Sequence, residues 1–176
     1  GAHNTDTLDY LDVHDNTAQR YGGGIYINNS ITEGTLTNSK ICNNTTSWAG
    51  GGVGIHNYLD FQETKVDNTT AITRTGRPGD FTIQDCEITG NSTTGTDGNC
   101  IGGGGIGITS DLRRSELYKE KSGTVNIIGT VVEDNTTTLA GGGIYCVYNC
   151  TNFISGGSIS NNTSGITATT AIDAVN

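Results

Sequence analysis

Basic side chains are concentrated in two stretches of this sequence, and they are its first candidates for binding chemistry. The chain has 9 Lys and Arg residues against 18 Asp and Glu residues. Seven of the nine basic residues fall within residues 56–80 and 109–123. If these basic side chains are grouped on one surface, they would bind an anionic glycan or a partner chain. If they are spread through long loops, they would only keep those loops solvated. The candidate binding residues are Arg74, Arg77, Arg113, Arg114, Lys119 and Lys121.

Catalysis on a polysaccharide would need acidic residues placed against this basic group. Lyases and hydrolases use paired carboxylates across a groove, or a basic residue beside a calcium-binding acidic cluster. Asp80 and Asp111 lie near Arg77 and Arg113 in the sequence and could meet them. The three histidines are isolated, without a Ser or Cys partner at a suitable spacing, and are interpreted as surface residues. We therefore predict no catalytic residue, and a polysaccharide-binding or polysaccharide-cleaving, lyase-like protein is the alternative function.

Carboxylates near the start of the chain are the one group with ligand chemistry for a metal. Asp9, Asp12 and Asp15 alternate with other residues and could hold calcium through their oxygens. Solvated surface carboxylates are the simpler interpretation. We predict no metal and no other cofactor, with calcium as the one exception considered.

The five cysteines do not have the spacing of a zinc site, since no Cys-x-x-Cys is present. Cys86 and Cys146 fall at inward-facing positions of the repeat described below and are interpreted as small apolar core residues. The odd number leaves at least one thiol unpaired within the chain. The others are Cys42, Cys100 and Cys150.

A repeat organises the chain, and it must position any site. Gly-Gly-Gly followed by a β-branched residue occurs four times, starting at Gly22, Gly50, Gly103 and Gly141. Upstream lies the pattern Ile/Val-x-x-Asn-Ser/Thr, which occurs five times, each preceded five positions earlier by another aliphatic residue. The repeated Asn residues are Asn16, Asn44, Asn91, Asn135 and Asn162.

These Asn residues have two interpretations. Side chains stacked at equivalent turns would bond to one another and to the backbone, as in Asn ladders. Four of the five also lie in N-x-Ser/Thr sequons and could carry glycans. Equivalent placement in every repeat favours the structural ladder for this set, and glycosylation is predicted for sequons outside it. The glycosylation candidates are Asn28, Asn43, Asn68, Asn149 and Asn161.

Each repeat contains short stretches in which apolar and polar residues alternate, as in Phe81-Thr82-Ile83. Strands this short bury their apolar face only when successive repeats stack in register. The sequence therefore predicts an all-β protein, a parallel β-helix of about five coils with loop insertions, in one domain over residues 1–176. The repeats cover about 8–27, 35–56, 81–108, 124–147 and 152–164, the insertions about 57–80 and 109–123, and a C-terminal strand or tail 165–176.

The pattern GGGIY…(I/V)xxNxT resembles the repeats of polymorphic outer-membrane proteins and of related adhesin-like right-handed β-helix proteins. Gly22–Tyr26 and Gly141–Tyr145 match the family's GG-x-I motif, and the five repeated Asn residues match its Asn. The likeness covers roughly residues 8–164. It implies a right-handed parallel β-helix, a fold that hosts adhesins, lyases and structural proteins alike.

Composition excludes several classes of partner, and our hypothesis is an extracellular or cell-surface protein. The net charge of −9 argues against nucleic acid, and no apolar run is long enough to span a membrane. We expect a non-enzymatic adhesive or structural module, with or without glycans, that binds glycans or a neighbouring cell surface or joins copies of itself end to end. The tail 165–176 would either close its own last coil or add to the edge of a neighbouring subunit.

Overall fold

Short β-strands are the only regular elements in the part of the chain that the structure describes. The computed structural model describes residues 5–28, 33–57, 61–66, 69–74, 80–96, 101–110, 124–146 and 151–165. Within these ranges no helix is long and apolar enough to cross a membrane.

The strands recur in the same order in successive segments of the chain, which we call units. Unit 1 contains β1 (Thr5–Asp9), β2 (Asp12–His14), β3 (Thr17–Ala18) and β4 (Ile25–Asn28). Unit 2 contains β5 (Glu33–Thr37), β6 (Lys40–Cys42), β7 (Thr45–Thr46) and β8 (Val53–Asn57). Two further strands follow unit 2, β9 (Phe61–Val66) and β10 (Thr69–Arg74). Unit 3 contains β11 (Phe81–Gln84), β12 (Glu87–Thr89), β13 (Ser92–Thr93) and β14 (Ile106–Ser110). Unit 4 contains β15 (Thr124–Ile128), β16 (Val131–Glu133), β17 (Thr136–Thr137) and β18 (Ile144–Cys146). Unit 5 contains β19 (Thr151–Ser155), β20 (Ser158–Ser160) and β21 (Thr163–Ser164).

Equivalent strands of successive units lie side by side and form four parallel sheets. Three sheets have five strands each, in the orders β1-β5-β11-β15-β19, β2-β6-β12-β16-β20 and β3-β7-β13-β17-β21, and the fourth has the order β4-β8-β14-β18. The prediction of an all-β protein built from stacked parallel strands is confirmed, and the arrangement is compatible with a β-solenoid. Each of the described units 1 to 4 has four strands.

The core is a set of columns in which one aliphatic residue of each unit lies directly on its equivalent. Leu36 is paired in register with Leu8 on one side and Ile83 on the other. Ile41 is paired in the same way with Val13 and Ile88. Burial is complete in the middle of these columns and partial at their first and last members. A stack of this kind buries apolar surface only between units, so each unit depends on its neighbours for stability.

The units turn at corners where the backbone is left-handed. The residue before each repeated Asn has a positive φ, as at Asn43 with φ 56° and Gly90 with φ 64°. Asn, Asp and Gly adopt this conformation at the lowest cost, which explains their recurrence there. Gly50, with φ +69°, starts another corner, and a Cβ on it would lie 2.2 Å from the carbonyl oxygen of Val53. The Gly-Gly-Gly motif is thus a steric requirement of the corner.

Two expectations from the sequence are corrected. The first insertion, expected to be a loop, contains β9 and β10 paired as an antiparallel hairpin. Cys146 is in register with Ile108, as expected for the inward column, but it is exposed rather than buried. The reason is that β18 is the last described strand of the fourth sheet, so no equivalent strand covers it. Cys86, by contrast, is buried, with 2% of its surface exposed.

Candidate functional site: the Asn column and the ends of the strand stack

The five repeated Asn residues form one continuous column through the described units. Each side-chain Oδ1 from the second to the fifth accepts two hydrogen bonds from the Asn of the preceding unit, one from its backbone N–H and one from its Nδ2. For Asn91 these bonds come from Asn44 and measure 2.9 Å and 3.1 Å. The Nδ2 of Asn91 in turn donates to Ile41 O at 2.9 Å and to Asn135 Oδ1 at 3.0 Å. Each interior Asn therefore has every side-chain donor and acceptor site occupied.

Burial separates this column from the glycosylation candidates. Asn44, Asn91 and Asn135 are 0% exposed, so their sequons are inaccessible in the folded chain. Asn43 and Asn161 are exposed, and both have the left-handed backbone of a corner, which is a structural reason for Asn at these positions. Asn28, at the end of β4, is also exposed. The candidates Asn68 and Asn149 lie outside the described residues.

The Asn column is polar in the sense that it has a direction, because every hydrogen bond between two of its Asn residues is donated from one unit to the next along the chain. The first member, Asn16, donates from N and Nδ2 to Asn44 Oδ1, both at 3.0 Å, while no described donor reaches its own Oδ1. The last member, Asn162, accepts from Asn135 at 3.0 Å and 2.9 Å. Its Nδ2 donates to Val132 O at 2.8 Å, which leaves its second Nδ2 hydrogen without a described acceptor. One end of the column thus presents an acceptor and the other presents donors.

The two outer edges of the stack differ in charge. Unit 1 carries four exposed carboxylates along its first strands and corners, and charged residues of this kind normally protect a sheet edge against pairing with another chain. The described residues of unit 5, 151–165, include no charged side chain. They do include Phe153 and Ile154, which keep 60% and 39% of their surface exposed. The four carboxylates of unit 1 are Asp6, Asp9, Asp12 and Asp15.

Three of these carboxylates are the residues considered for calcium, and two of them, Asp9 and Asp15, have different hydrogen-bond partners. Asp9 Oδ1 accepts hydrogen bonds from Thr37 Oγ1 at 2.8 Å and from Asn38 Nδ2 at 2.9 Å. These bonds, that of Asn38 first, lower the pKa of Asp9. Asp15 lies 2.8 Å from His14 Nδ1 and raises the pKa of that imidazole. No group of three or more His, Cys, Asp or Glu side chains arranged for a metal occurs among the described residues.

The predicted basic binding surface falls almost wholly outside the described residues. Arg74 ends β10, where the backbone alone is described. Of the four residues considered for a lyase-like site, Asp80 alone is described, and Arg77, Asp111 and Arg113 lie outside the described residues. The candidates outside the described ranges are Arg77, Arg113, Arg114, Lys119 and Lys121.

An aromatic cluster that sequence reasoning missed lies where the Gly-Gly-Gly corners of units 1 and 2 meet β4 and β8. We call Arg20, Tyr21, Tyr26, Trp48 and His56 the aromatic corner. The Tyr21 ring stacks on the Tyr26 ring at 5.5 Å between centroids and on the His56 ring at 5.4 Å, and it meets Trp48 edge-on at 5.6 Å. The Arg20 guanidinium lies 5.1 Å from the centroid of the Trp48 ring. The sequence feature that could have indicated this cluster is the group of aromatic residues beside the first two Gly-Gly-Gly motifs.

Comparisons with family models, curated proteins and solved structures found no match to this chain. Its functional interpretation therefore depends on the geometry of the Asn column, the two edges and the aromatic corner.

Proposed function

We propose that this chain is a non-enzymatic structural module of an extracellular or cell-surface protein, and that copies of it join end to end. In this proposal the stacked sheets form a right-handed parallel β-helix of about five coils. The right hand comes from the resemblance to the repeats of polymorphic outer-membrane proteins. The observation that carries the proposal is the polarity of the Asn column, which ends in the Oδ1 acceptor of Asn16 and in the amide donors of Asn162.

Complementary ends favour one mode of contact. If unit 5 of one copy stacks on unit 1 of the next, Asn162 can donate to Asn16 as each interior Asn donates to its neighbour. Two copies of the same end would oppose donors to donors or acceptors to acceptors. The four exposed carboxylates of unit 1 would in addition repel a second unit 1. A head-to-tail contact of this kind is heterologous, and such contacts generate open filaments when the rotation does not close a ring.

The apolar columns support the same contact. Leu8 and Ile154 are the first and last members of one inward column, and among the described strands each has a paired strand on one side only. Stacking unit 5 on unit 1 would place these two side chains against each other and continue the core across the junction. The described residues of unit 5 carry no charge, so the carboxylates of unit 1 would meet no like charge from them at this junction.

The proposal is tested with two matched Lys variants. Ile154→Lys places a charge at the end of the inward column, whereas Ile128→Lys places it on the outer face of unit 4, and the two Ile side chains are 39% and 38% exposed. In sedimentation velocity at increasing protein concentration, the unmodified chain and Ile128→Lys should form species of increasing mass, while Ile154→Lys should stay monomeric. An unmodified chain that stays monomeric at millimolar concentration would refute the proposal.

A mixing experiment tests the polarity. Leu8→Lys blocks the unit 1 end, and Ile154→Lys blocks the unit 5 end. Head-to-tail contact predicts that each variant alone is monomeric and that an equal mixture forms dimers and nothing longer, because each variant retains one intact end. Homodimers of either variant would show a head-to-head contact and contradict the polarity argument. Circular dichroism and thermal unfolding check that both variants are folded.

The alternative functions predicted from the sequence depend on other residues. Glycan binding or cleavage through the basic insertion residues has no described side chain from which it can be argued. Among the described residues, His14 is hydrogen-bonded to Asp15 and His56 to Tyr26. The structural module is the function for which the described residues supply an argument, in the Asn column and the inward apolar columns.

A further inference from the structure

The aromatic corner has features that go beyond end-to-end joining. Most outward positions of the described strands are Thr, Ser, Asn or Asp, so a cluster of rings on this surface is unusual. Tyr26 keeps 44% of its surface exposed, and Trp48, the only tryptophan of the chain, is half-buried. A contiguous group of aromatic rings left partly open to water in a polar surface is a candidate binding site.

The corner is held in a fixed shape by the fold. Tyr26 pairs in register with Gly54, and a Cβ on Gly54 would lie 2.5 Å from the backbone nitrogen of Gly22. The position beside Tyr26 must therefore lack a side chain. Tyr26 OH and His56 Nδ1 are 3.3 Å apart, which links unit 1 to unit 2 across this position. Because the rings stand on short paired strands and a glycine corner, they form a preorganised surface that loses little conformational freedom on binding.

In the part of the chain that the structure describes, no strand covers one side of the corner. β4 is the edge strand of the fourth sheet, so no described strand lies next to Tyr26 on the side away from β8. The polar groups at its margin are the Arg20 guanidinium, the Tyr26 hydroxyl and the His56 imidazole. An aromatic face bordered by a few fixed hydrogen-bonding groups is the typical composition of a small-molecule site.

We propose that the aromatic corner binds a neutral pyranose sugar of an oligosaccharide. A pyranose ring presents C–H groups on one face, which pack on an aromatic ring, and hydroxyl groups at its edge, which take donors and acceptors such as Arg20, Tyr26 OH and His56. The net charge of −9 on the chain favours a neutral sugar over an anionic one. The size also fits a sugar, because a protein partner would need about 800 Å² on each side, far more than a few rings at one corner.

The single tryptophan makes this proposal directly measurable, because its emission reports on this corner alone. The full chain is titrated with three named probes: cellohexaose, chitohexaose and the anionic hexagalacturonate. We expect a saturable change in Trp48 emission with a neutral probe. The probe is added up to about 10 mM, which is ten times a dissociation constant of about 1 mM and so sufficient for saturation. Saturation-transfer NMR on the same samples identifies the sugar protons that contact the rings.

Matched variants locate the site. Tyr26→Ala should weaken binding about tenfold, equivalent to about 1.4 kcal/mol. Tyr10→Ala, which removes a tyrosine that is 78% exposed and outside the corner, should leave binding unchanged. The proposal is overturned if no neutral probe alters the emission or gives saturation transfer, if only hexagalacturonate binds, or if Tyr26→Ala binds as tightly as the unmodified chain. The oligomeric state does not enter these readouts, so failure here leaves end-to-end joining untouched.

Discussion

Removing one interior member of the Asn column is the most direct test of what holds the units together. Asn91→Ala deletes an amide that is 0% exposed and takes part in four hydrogen bonds, two accepted from Asn44 and two donated to Ile41 and Asn135. The backbone N–H and one Nδ2 hydrogen of Asn44 lose their acceptor in a site without water access. Each buried donor left unsatisfied costs about 1–3 kcal/mol, so the variant should lose about 4 kcal/mol of stability.

The matched control is Asn16→Ala at the open end of the same column. Asn16 is exposed, accepts no described hydrogen bond, and donates from Nδ2 to Asn44 Oδ1 and to His14 O. Asn44 Oδ1 keeps the bond from the Asn16 backbone, and water can reach the remaining groups. The expected loss is below about 1 kcal/mol, since replaced hydrogen bonds contribute little net stability.

Urea unfolding followed by far-ultraviolet circular dichroism measures both losses, and thermal unfolding supports it. For a chain of this size a loss of about 4 kcal/mol corresponds to a decrease of roughly 8–16 °C in midpoint. Because units of a stack can unfold separately, Trp48 emission is recorded in parallel to detect partial opening near units 1 and 2. The reasoning is refuted if Asn91→Ala is no less stable than Asn16→Ala.

Three further outcomes follow from the corners, the thiols and the carboxylates. Gly50→Ala should be strongly destabilising, because its Cβ would lie 2.2 Å from a backbone oxygen. Gly156 is also at positive φ, but the nearest atoms to a Cβ there are at 3.5 Å, so Gly156→Ala should cost only about 1–2 kcal/mol of backbone strain. The urea unfolding midpoints of the two variants test this difference. Iodoacetamide at pH 8 should label half-buried Cys42 before Cys86, whose pKa is raised by burial, and equal native-state labelling in peptide mass spectrometry would contradict this. The pKa of Glu133 is lowered by hydrogen bonds from two serines. This carboxylate therefore favours the folded state above its ordinary pKa and loses that effect as the pH falls. NMR titration should place the titration midpoint of Glu133 below 4.5, and a midpoint at or above 4.5 would disprove the effect.

The stacking of strands was predictable because each unit copies the same chemistry. Asn44 and Asn91 are 47 residues apart, yet their side chains meet as closely as those of Asn16 and Asn44, which are 28 apart. The spacing of the motif, not the length of chain between copies, therefore determines which residues pair. The same argument anticipated the column of Leu36 and Ile83.

The aromatic corner could not be predicted in this way because its members occupy different offsets within their units. Trp48 lies four residues after its unit's Asn, whereas Tyr21 lies five residues after Asn16, and no equivalent aromatic pair recurs in later units. The contact between these rings depends on where the backbone of the glycine corner places them on the outer surface, and the spacing of the motif does not reveal that position. The exposure of Cys146 escaped prediction for a related reason, since periodicity gives the face of a strand but not whether a further strand covers it.

The hairpin between units 2 and 3 has a consequence for engineering. The extra chain that contains β9 and β10 leaves the sheets at the end of β8 and returns before β11, and the parallel pairing of β11 with β5 is undisturbed. The scaffold therefore accepts added length at this position without any change in how its neighbours pair. A foreign peptide grafted in place of the hairpin would be displayed at a fixed point along the stack. In a polymer of such modules it would recur once per subunit, which makes this position suitable for multivalent presentation.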